Sequence, residues 1–317
     1  MSGVKEIGGY LGLEEFCGKE YYNELISVNS GRNALLYIIK AQNIKKLYIP
    51  SFLCDTVYRL CERENCEYEF YSIDKNFRPV FNKELKNGEW LYIVNFYGQI
   101  SNNEILSLKA QYGNIIFDNV QAFFQKPEKG IDTVYSCRKF FGVPDGGYVS
   151  TDKVLGESLE EDFSADRMKH ILGRFEKTGA QFYSDFQNND ENFYKLGLKA
   201  MSSLTKNILK AVDYDKVKLK RNENYVFLEN ALGKYNKLKL SAPDGAYCYP
   251  FYCKNGMEIK RELAINKIYV PTLWPNVLEQ GNELERDYAE NILPLPCDQR
   301  YGLFDMERII DSLFNAK

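Results

Sequence analysis

The sequence predicts an α/β protein: a large, mostly parallel sheet domain followed by a small C-terminal α+β domain. Three patterns carry that expectation. Apolar runs of strand length alternate with helical stretches over the first 150 residues. From about 159 to 238 the chain becomes charged and helical, and the aromatic run 246–252 then opens a second strand region. The 317 residues exceed one typical domain of about 150. We expect the large domain, with an N-terminal arm, over 1–190, and a linking helix with the small domain over 191–317.

After an irregular opening with glycines at 8, 9, 12 and 18, residues 32–41 (RNALLYIIKA) space their apolar side chains as one helix behind an Asn29-Ser30-Gly31 cap. Residues 46–49, closed by Pro50, read as a strand, and a helical stretch follows through Val57, Leu60 and Cys61. Residues 68–73 alternate as a strand ending before Asp74. The run 90–96 is a buried strand, 103–110 a helix, and 114–117 a short buried strand leading to Asp118. Strands at 133–136 and 146–150 flank a turn containing Pro144, Asp145 and Gly146. Past the helical middle we expect the strand region 246–252, a helix near 257–265, a strand at 268–270 and a terminal helix over 305–314.

Composition narrows the function classes. Hydrophobic residues make up 44% and charged residues 27%, a globular balance. With 41 Lys and Arg against 44 Asp and Glu, the net charge of −3 supplies no basic field for nucleic acid and no polybasic membrane patch. The start carries no apolar targeting core before Glu14 and Glu15, and no stretch approaches the roughly 18 apolar residues of a spanning helix, so a cytoplasmic protein is expected. Eight cysteines with no CxxC pattern are expected to stay reduced, and with one histidine, His170, no metal site is expected. No G-x-S-x-G elbow, P-loop or G-x-G-x-x-G is present. What remains is lysine and carboxylate chemistry.

Parallel sheets bind ligands at the carboxyl ends of their strands, which singles out Asn29-Ser30-Gly31, Asp118 and the segment Ser136 to Lys139. Taken one at a time these residues have plain readings. Asp118 is a strand-end cap or a buried acid with a cationic partner, and Lys139 a surface lysine. His170 reads as a helix residue, Trp274 as a packing residue, Cys137 as a buried neighbour and 216–221 as a solvated helix face.

Taken in order they resemble the DegT/StrS family of sugar aminotransferases. Asn29-Ser30-Gly31-Arg32-Asn33-Ala34-Leu35 is similar to that family's phosphate turn, Tyr48-Ile49-Pro50-Ser51-Phe52 to its strand and P-S-x segment, and Asn95-Phe96-Tyr97-Gly98 to its h-x-Y-G element. Asp118-Asn119-Val120-Gln121-Ala122 resembles D-x-A-Q-A, and Ser136-Cys137-Arg138-Lys139 with Asp145-Gly146-Gly147 resembles the serine, lysine and Gly-Gly element. Arg221-Asn222-Glu223-Asn224 matches R-x-x-N, and 293–296 matches a late Leu-Pro turn. The sequence departs from the pattern in three places. Ser136 stands three residues before the lysine instead of five, Arg32 replaces a threonine, and Cys54 stands where the family carries a ring-stacking aromatic.

The resemblance implies a fold-type I enzyme that uses pyridoxal 5'-phosphate (PLP) to move an amino group from an amino acid, expected to be glutamate, to a keto-sugar, expected to be nucleotide-linked. It implies that Lys139 bonds to the cofactor and moves the proton, and that Asp118 faces the pyridine nitrogen. Gln121 would lie near the ring oxygen or the substrate, while Ser30, Gly31, Arg32 and Ser136 would hold the phosphate. Phe52 or Tyr97 would stack on the ring. Asn224, with Arg221, would complete a neighbouring subunit's site in a homodimer. The acceptor would be read around Tyr183, Trp274 and Arg300. The alternatives are a PLP enzyme of another reaction type, such as a sugar dehydratase, or a non-catalytic sugar- or PLP-binding protein of the same fold.

Overall fold

A computed structural model describes residues 7–315; Met1 to Glu6 of the expected arm and the last two residues lie outside them. The first half builds β1 (Ile26–Val28), α1 (Gly31–Ala41), β2 (Lys46–Pro50), α2 (Asp55–Arg63), β3 (Glu67–Ile73), β4 (Pro79–Val80), β5 (Glu89–Val94), α3 (Asn102–Tyr112), β6 (Ile115–Asp118), β7 (Asp132–Ser136) and β8 (Gly147–Ser150). These strands form one sheet in the order β1-β8-β7-β6-β5-β2-β3-β4. Strands β3, β2, β5, β6 and β7 run parallel, and β8, β1 and β4 pair antiparallel at the two margins. The central strands β2, β5 and β6 are apolar and buried at nearly every position, as strands in the middle of a parallel sheet are, while β3 nearer the margin carries Glu67 and Glu69. Helix α1 shows the same logic: Ser30 caps it by accepting the Asn33 N–H, and every residue from Asn33 to Ile39 is buried.

The expected strands and helices of this half are present within a residue or two. Strands β1 and β4, of three and two residues, were not expected, since pairing with β8 and β3 defines them and periodicity cannot.

The helical middle contains α4 (Lys169–Glu176), α5 (Tyr183–Lys195), α6 (Ser203–Lys210) and α7 (Tyr214–Leu232). The division expected at 190/191 falls inside α5. A second core begins with Tyr225, Leu228 and Leu232 of α7, and closes around β9 (Tyr249–Tyr252), α8 (Gly256–Ile265), β10 (Ile292–Leu295) and α11 (Leu303–Asn315). Between α8 and β10 lie α9 (Val277–Gln280) and α10 (Glu283–Asn291). Residues 268–270 are not a strand. The partner of β9 is instead β10, the Leu-Pro stretch that reads as a turn, with Pro294 opposite Pro250. A two-stranded ribbon tolerates those prolines because each strand has an edge whose N–H groups need no partner.

The two parts are joined by polar ties as well as packing. Glu285 of α10, fully buried, accepts from Ser51 Oγ at 2.7 Å and Ile73 N at 3.3 Å, both beyond or at the ends of β2 and β3. Arg221 of α7, 1% exposed, donates to Ala246 O (2.7 Å), Gln299 Oε1 (2.8 Å) and Phe140 O (3.3 Å). Its burial corrects the solvated-face reading of 216–221 at that position. Among the described residues no helix is long and apolar enough to cross a membrane.

Candidate functional site

Strands β5, β6 and β7 reach a common edge in register, Val94 beside Asp118 and Asp118 beside Val134. Three connections therefore leave the sheet side by side: Asn95–Gly98, Asp118–Gln121 and the short 3-10 helix Cys137–Lys139. Helix α1 starts over this edge. A Cβ on Gly31 would stand 3.0 Å from Ser136 Cβ and 3.5 Å from Val120 Cγ1, and one on Gly147 would strike the Ser30 carbonyl carbon at 2.6 Å. Gly147 is needed for the close approach of two backbones, and Gly31 leaves room for the Ser136 and Val120 side chains. The turn before α1 is fixed by Gly146 N donating to Asn29 O at 2.9 Å and by Asn33 Nδ2 donating to Asn29 Oδ1 at 2.7 Å.

Asp118 is buried. One carboxylate oxygen accepts from the Tyr92 hydroxyl at 2.5 Å and the other from Val120 N at 2.8 Å. Burial pushes its carboxyl above the usual range, opposed by the Tyr92 hydroxyl, the Lys139 charge and the Val120 amide. The buried-acid reading thus holds, with Lys139 as its cationic neighbour. Gln121, 1% exposed, accepts the Tyr97 N–H at 2.8 Å. That bond fixes Tyr97 in the left-handed region at φ 55°.

Lys139 is exposed, and its Nζ lies 5.7 Å from the centre of the Tyr247 ring. Its charge also acts on the thiols of Cys54 and Cys248, which burial pushes up. Cys54 is the N-cap residue of α2, at the same edge. Behind the lysine, Phe140 and Phe141 anchor its segment in a third apolar cluster with Tyr22, Phe123, Tyr135 and Tyr148. The Phe140 carbonyl is held by Arg221 and by Gln299 Nε2 at 2.7 Å. Asp145 is fully buried and accepts from Ser202 N (2.9 Å), Ser202 Oγ (2.7 Å) and Thr205 Oγ1, which fixes the turn returning to β8.

Of the expected site residues, Asp118, Gln121, Ser30, Gly31, Arg32, Ser136 and Lys139 gather at this edge. Two do not present their side chains to it. Phe52 is fully buried against Phe96, Trp274, Phe77 and Tyr288, because the chain after Pro50 turns its ring into the core. Asn224 is fully buried, and its Nδ2 is spent on the carbonyls of Cys297, Asp298 and Tyr301. It ties α7 to the start of α11, and Arg221 beside it is equally committed inside its own chain. Arg300 is neutralised by a two-pronged contact with Asp298 at 2.7 and 2.8 Å, and Trp274 packs edge-on against Phe52. Tyr92, Tyr194 and Tyr247 join the site unannounced. For Tyr92 alone a signal exists: it lies two residues before the end of β5, one strand over from Asp118.

A cofactor of the PLP kind fits these residues. A buried carboxyl with donors on both oxygens can face a cationic ring nitrogen, an exposed amine stands beside it, and a glycine-lined helix start with unpaired arginine nitrogens can take a phosphate.

No protein-family model matches the sequence, and a search of curated proteins finds no match. Solved structures do match. An aminotransferase of the DegT/DnrJ/EryC1/StrS group from Brucella abortus is 16% identical with a TM-score of 0.60, covering 92% of this chain and 85% of its own. Ntda from Bacillus subtilis, solved with its cofactor PMP, is 13% identical with a TM-score of 0.66, covering 92% and 73%. A sugar aminotransferase from Micromonospora echinospora is 12% identical with a TM-score of 0.61, covering 92% and 87%. At these identities the likeness is one of architecture, and in architecture this chain is a fold-type I protein like the DegT/DnrJ/EryC1/StrS aminotransferases.

Proposed function

We propose that the protein is a PLP-dependent aminotransferase that moves an amino group from an amino acid, glutamate first among candidates, to a keto-sugar carried on a nucleotide. The observation that carries the reading is the pairing of buried Asp118 with Lys139 at one sheet edge, under the start of α1, in a chain of this fold. Bound there, PLP supplies a sink for the electron pair left when a proton leaves the substrate carbon. Lys139 would bond to the cofactor aldehyde carbon and, once its amine is freed, carry that proton. Asp118, oriented by the Tyr92 hydroxyl and the Val120 amide, would accept the ring N–H. Gln121 orients the Tyr97 turn, and Ser136, Gly31 and Ser30 border the phosphate end.

The presence of Lys139 favours amination over a dehydratase that lacks the lysine. The solved sugar aminotransferases of like fold support the sugar as acceptor, and a homodimer is part of the same reading. Because Arg221 and Asn224 are committed inside their own chain, a neighbour's contribution would have to come from other residues.

The test is borohydride reduction of the PLP-loaded protein followed by peptide mapping, with the cofactor expected on Lys139. Glutamate should bleach the visible absorbance and a nucleotide-linked keto-sugar restore it. A protein that stays colourless with added PLP sinks the reading. Restoration by a free keto acid or free sugar, with no nucleotide keto-sugar able to do so, removes the nucleotide and keeps the aminotransferase.

A further inference from the structure

The small domain sends one side chain to Lys139. Gly245 turns the chain toward it: its φ is +67°, its N–H donates to Asn222 Oδ1 at 2.7 Å, and a Cβ on it would strike Phe124 Cδ2 at 2.2 Å. Past that turn Ala246 is buried, and Tyr247, two residues before β9, is half-buried with its ring centre 6.0 Å from that of Phe140. The same ring centre lies 5.7 Å from Lys139 Nζ.

The backbones on both sides of this contact are fixed by one guanidinium. Arg221 donates to the carbonyl of Phe140, the residue after Lys139, at 3.3 Å, and to that of Ala246, the residue before Tyr247, at 2.7 Å. Its own guanidinium carbon lies over the Phe140 ring at 4.6 Å. Lys139, by contrast, is exposed, and among the described residues its Nζ makes no hydrogen bond and no ion pair. The other groups that feel its charge are the Asp118 carboxyl and the thiols of Cys54 and Cys248. Around the Tyr247 hydroxyl stand Cys54, Cys248, Arg221 and Asp298.

An amine on a flexible four-carbon stem needs something to keep it in place. A carboxylate in contact would hold it firmly but would strongly favour the ammonium form, which can neither bond to an aldehyde nor take up a proton. An aromatic face attracts the ammonium more weakly, through the ring quadrupole, and lets it deprotonate.

We propose that Tyr247 is the positioning residue for Lys139: its ring holds the free amine at the sheet edge, and Arg221 fixes the two segments that bring them together. The inference rests on the proposed function for what Lys139 does, and on the arrangement of Lys139, Tyr247 and Arg221 for how it is held.

The experiment compares the native protein with Tyr247→Leu and Tyr247→Met, which remove the ring, and with Tyr247→Phe, which keeps it. In PLP-free protein, acetylation of Lys139 by acetic anhydride is followed against pH by peptide mass, which gives the midpoint at which the amine deprotonates. Without the ring face that midpoint should fall by about half a pH unit, and Tyr247→Phe should restore it. In PLP-loaded protein, the rate at which saturating glutamate bleaches the visible absorbance should fall about tenfold without the ring, with the half-saturating glutamate concentration within twofold of native. Tyr247→Phe should recover most of that rate. An unmoved midpoint in the ring-free variants overturns the proposal, as does a native rate in them. A phenylalanine variant as impaired as the leucine one also overturns it, since that assigns the effect to the hydroxyl. If the native protein takes up no PLP, or glutamate bleaches nothing, the proposed function fails. The acetylation midpoints need no cofactor, so the pairing then stands on a lowered midpoint that phenylalanine restores and falls on an unmoved one.

Discussion

Asp118 shows how one residue's role is set by what surrounds it. Its carboxyl is pushed up by burial and held by donors on both oxygens, so a cationic neighbour would favour the charged form more here than at the surface. Asp118→Asn should keep its fold and bind PLP, since the amide oxygen can still accept from Tyr92, yet lose roughly 10²-fold or more in turnover, as when a positioned charge is removed from a reacting centre. Steady-state kinetics beside a cofactor titration check this, and native turnover in the variant would remove Asp118 from the mechanism. Gly31 is a second case. Gly31→Ala would put a methyl group 3.0 Å from Ser136 Cβ at the proposed phosphate end. PLP affinity should fall by about tenfold while pyridoxal affinity changes less, with absorbance titration as the measurement.

At the scale of elements, the Cys137–Lys139 segment keeps its place because neighbours hold both ends. Gly146, at φ +114°, lets the return turn pass Cys137, where a Cβ would come within 3.1 Å of its Sγ. Arg221 and Gln299 hold the Phe140 carbonyl from the small domain. Arg221→Met should therefore leave the Ala246 carbonyl and Gln299 Oε1 short of a donor, with Gln299 Nε2 still on the Phe140 carbonyl, and destabilise the protein by about 3 kcal/mol. Denaturant unfolding reads that number, and Arg221→Lys should recover little of it, because an ammonium cannot span three acceptors in different directions. A loss below about 1 kcal/mol would show the joint is not carried by this side chain.

For the molecule as a whole, buried acids of the thiol and phenol kind set the alkaline limit. Burial pushes Cys253 to about 11 and Cys297 to about 12 from an ordinary 9.0, and raises Cys137 and Cys248 well above it. Folded values above unfolded ones mean that the native state holds more protons, so this stability is fully present below about pH 9 and is lost as pH rises toward the folded values. Lys260 acts with the opposite sign. Burial lowers it from 10.5 to about 8, so its penalty is full below pH 8 and is relieved as pH rises toward 10.5. Thermal melting against pH should show a fall above pH 9, steeper in Lys260→Met, where the relief is absent. A profile that stays flat from pH 8 to 11 in Lys260→Met would contradict the thiol assignments, and identical profiles in the variant and the native protein would contradict that of Lys260.

The alternation of apolar strands and helices through Ser150 made the sheet domain legible, because strands buried on both faces must be apolar throughout and α1 needs a cap before its apolar run. Asp118, Gln121, Ser136 and Lys139 were legible as positions, since residues just after parallel strands lie at one edge whatever the loops do. The pairing of β9 with β10 was not, because a proline-rich stretch reads as a turn until its partner strand supplies the ladder. Nor were the fates of Phe52, Arg221 and Asn224. Whether a phenyl ring turns inward, or an arginine and an asparagine spend their donors on distant carbonyls, is decided by contacts between segments far apart in the chain. Local sequence determined which elements form and which residues end them. Tertiary structure decided which of those residues face the site, because burial and hydrogen-bond satisfaction are properties of the packed whole.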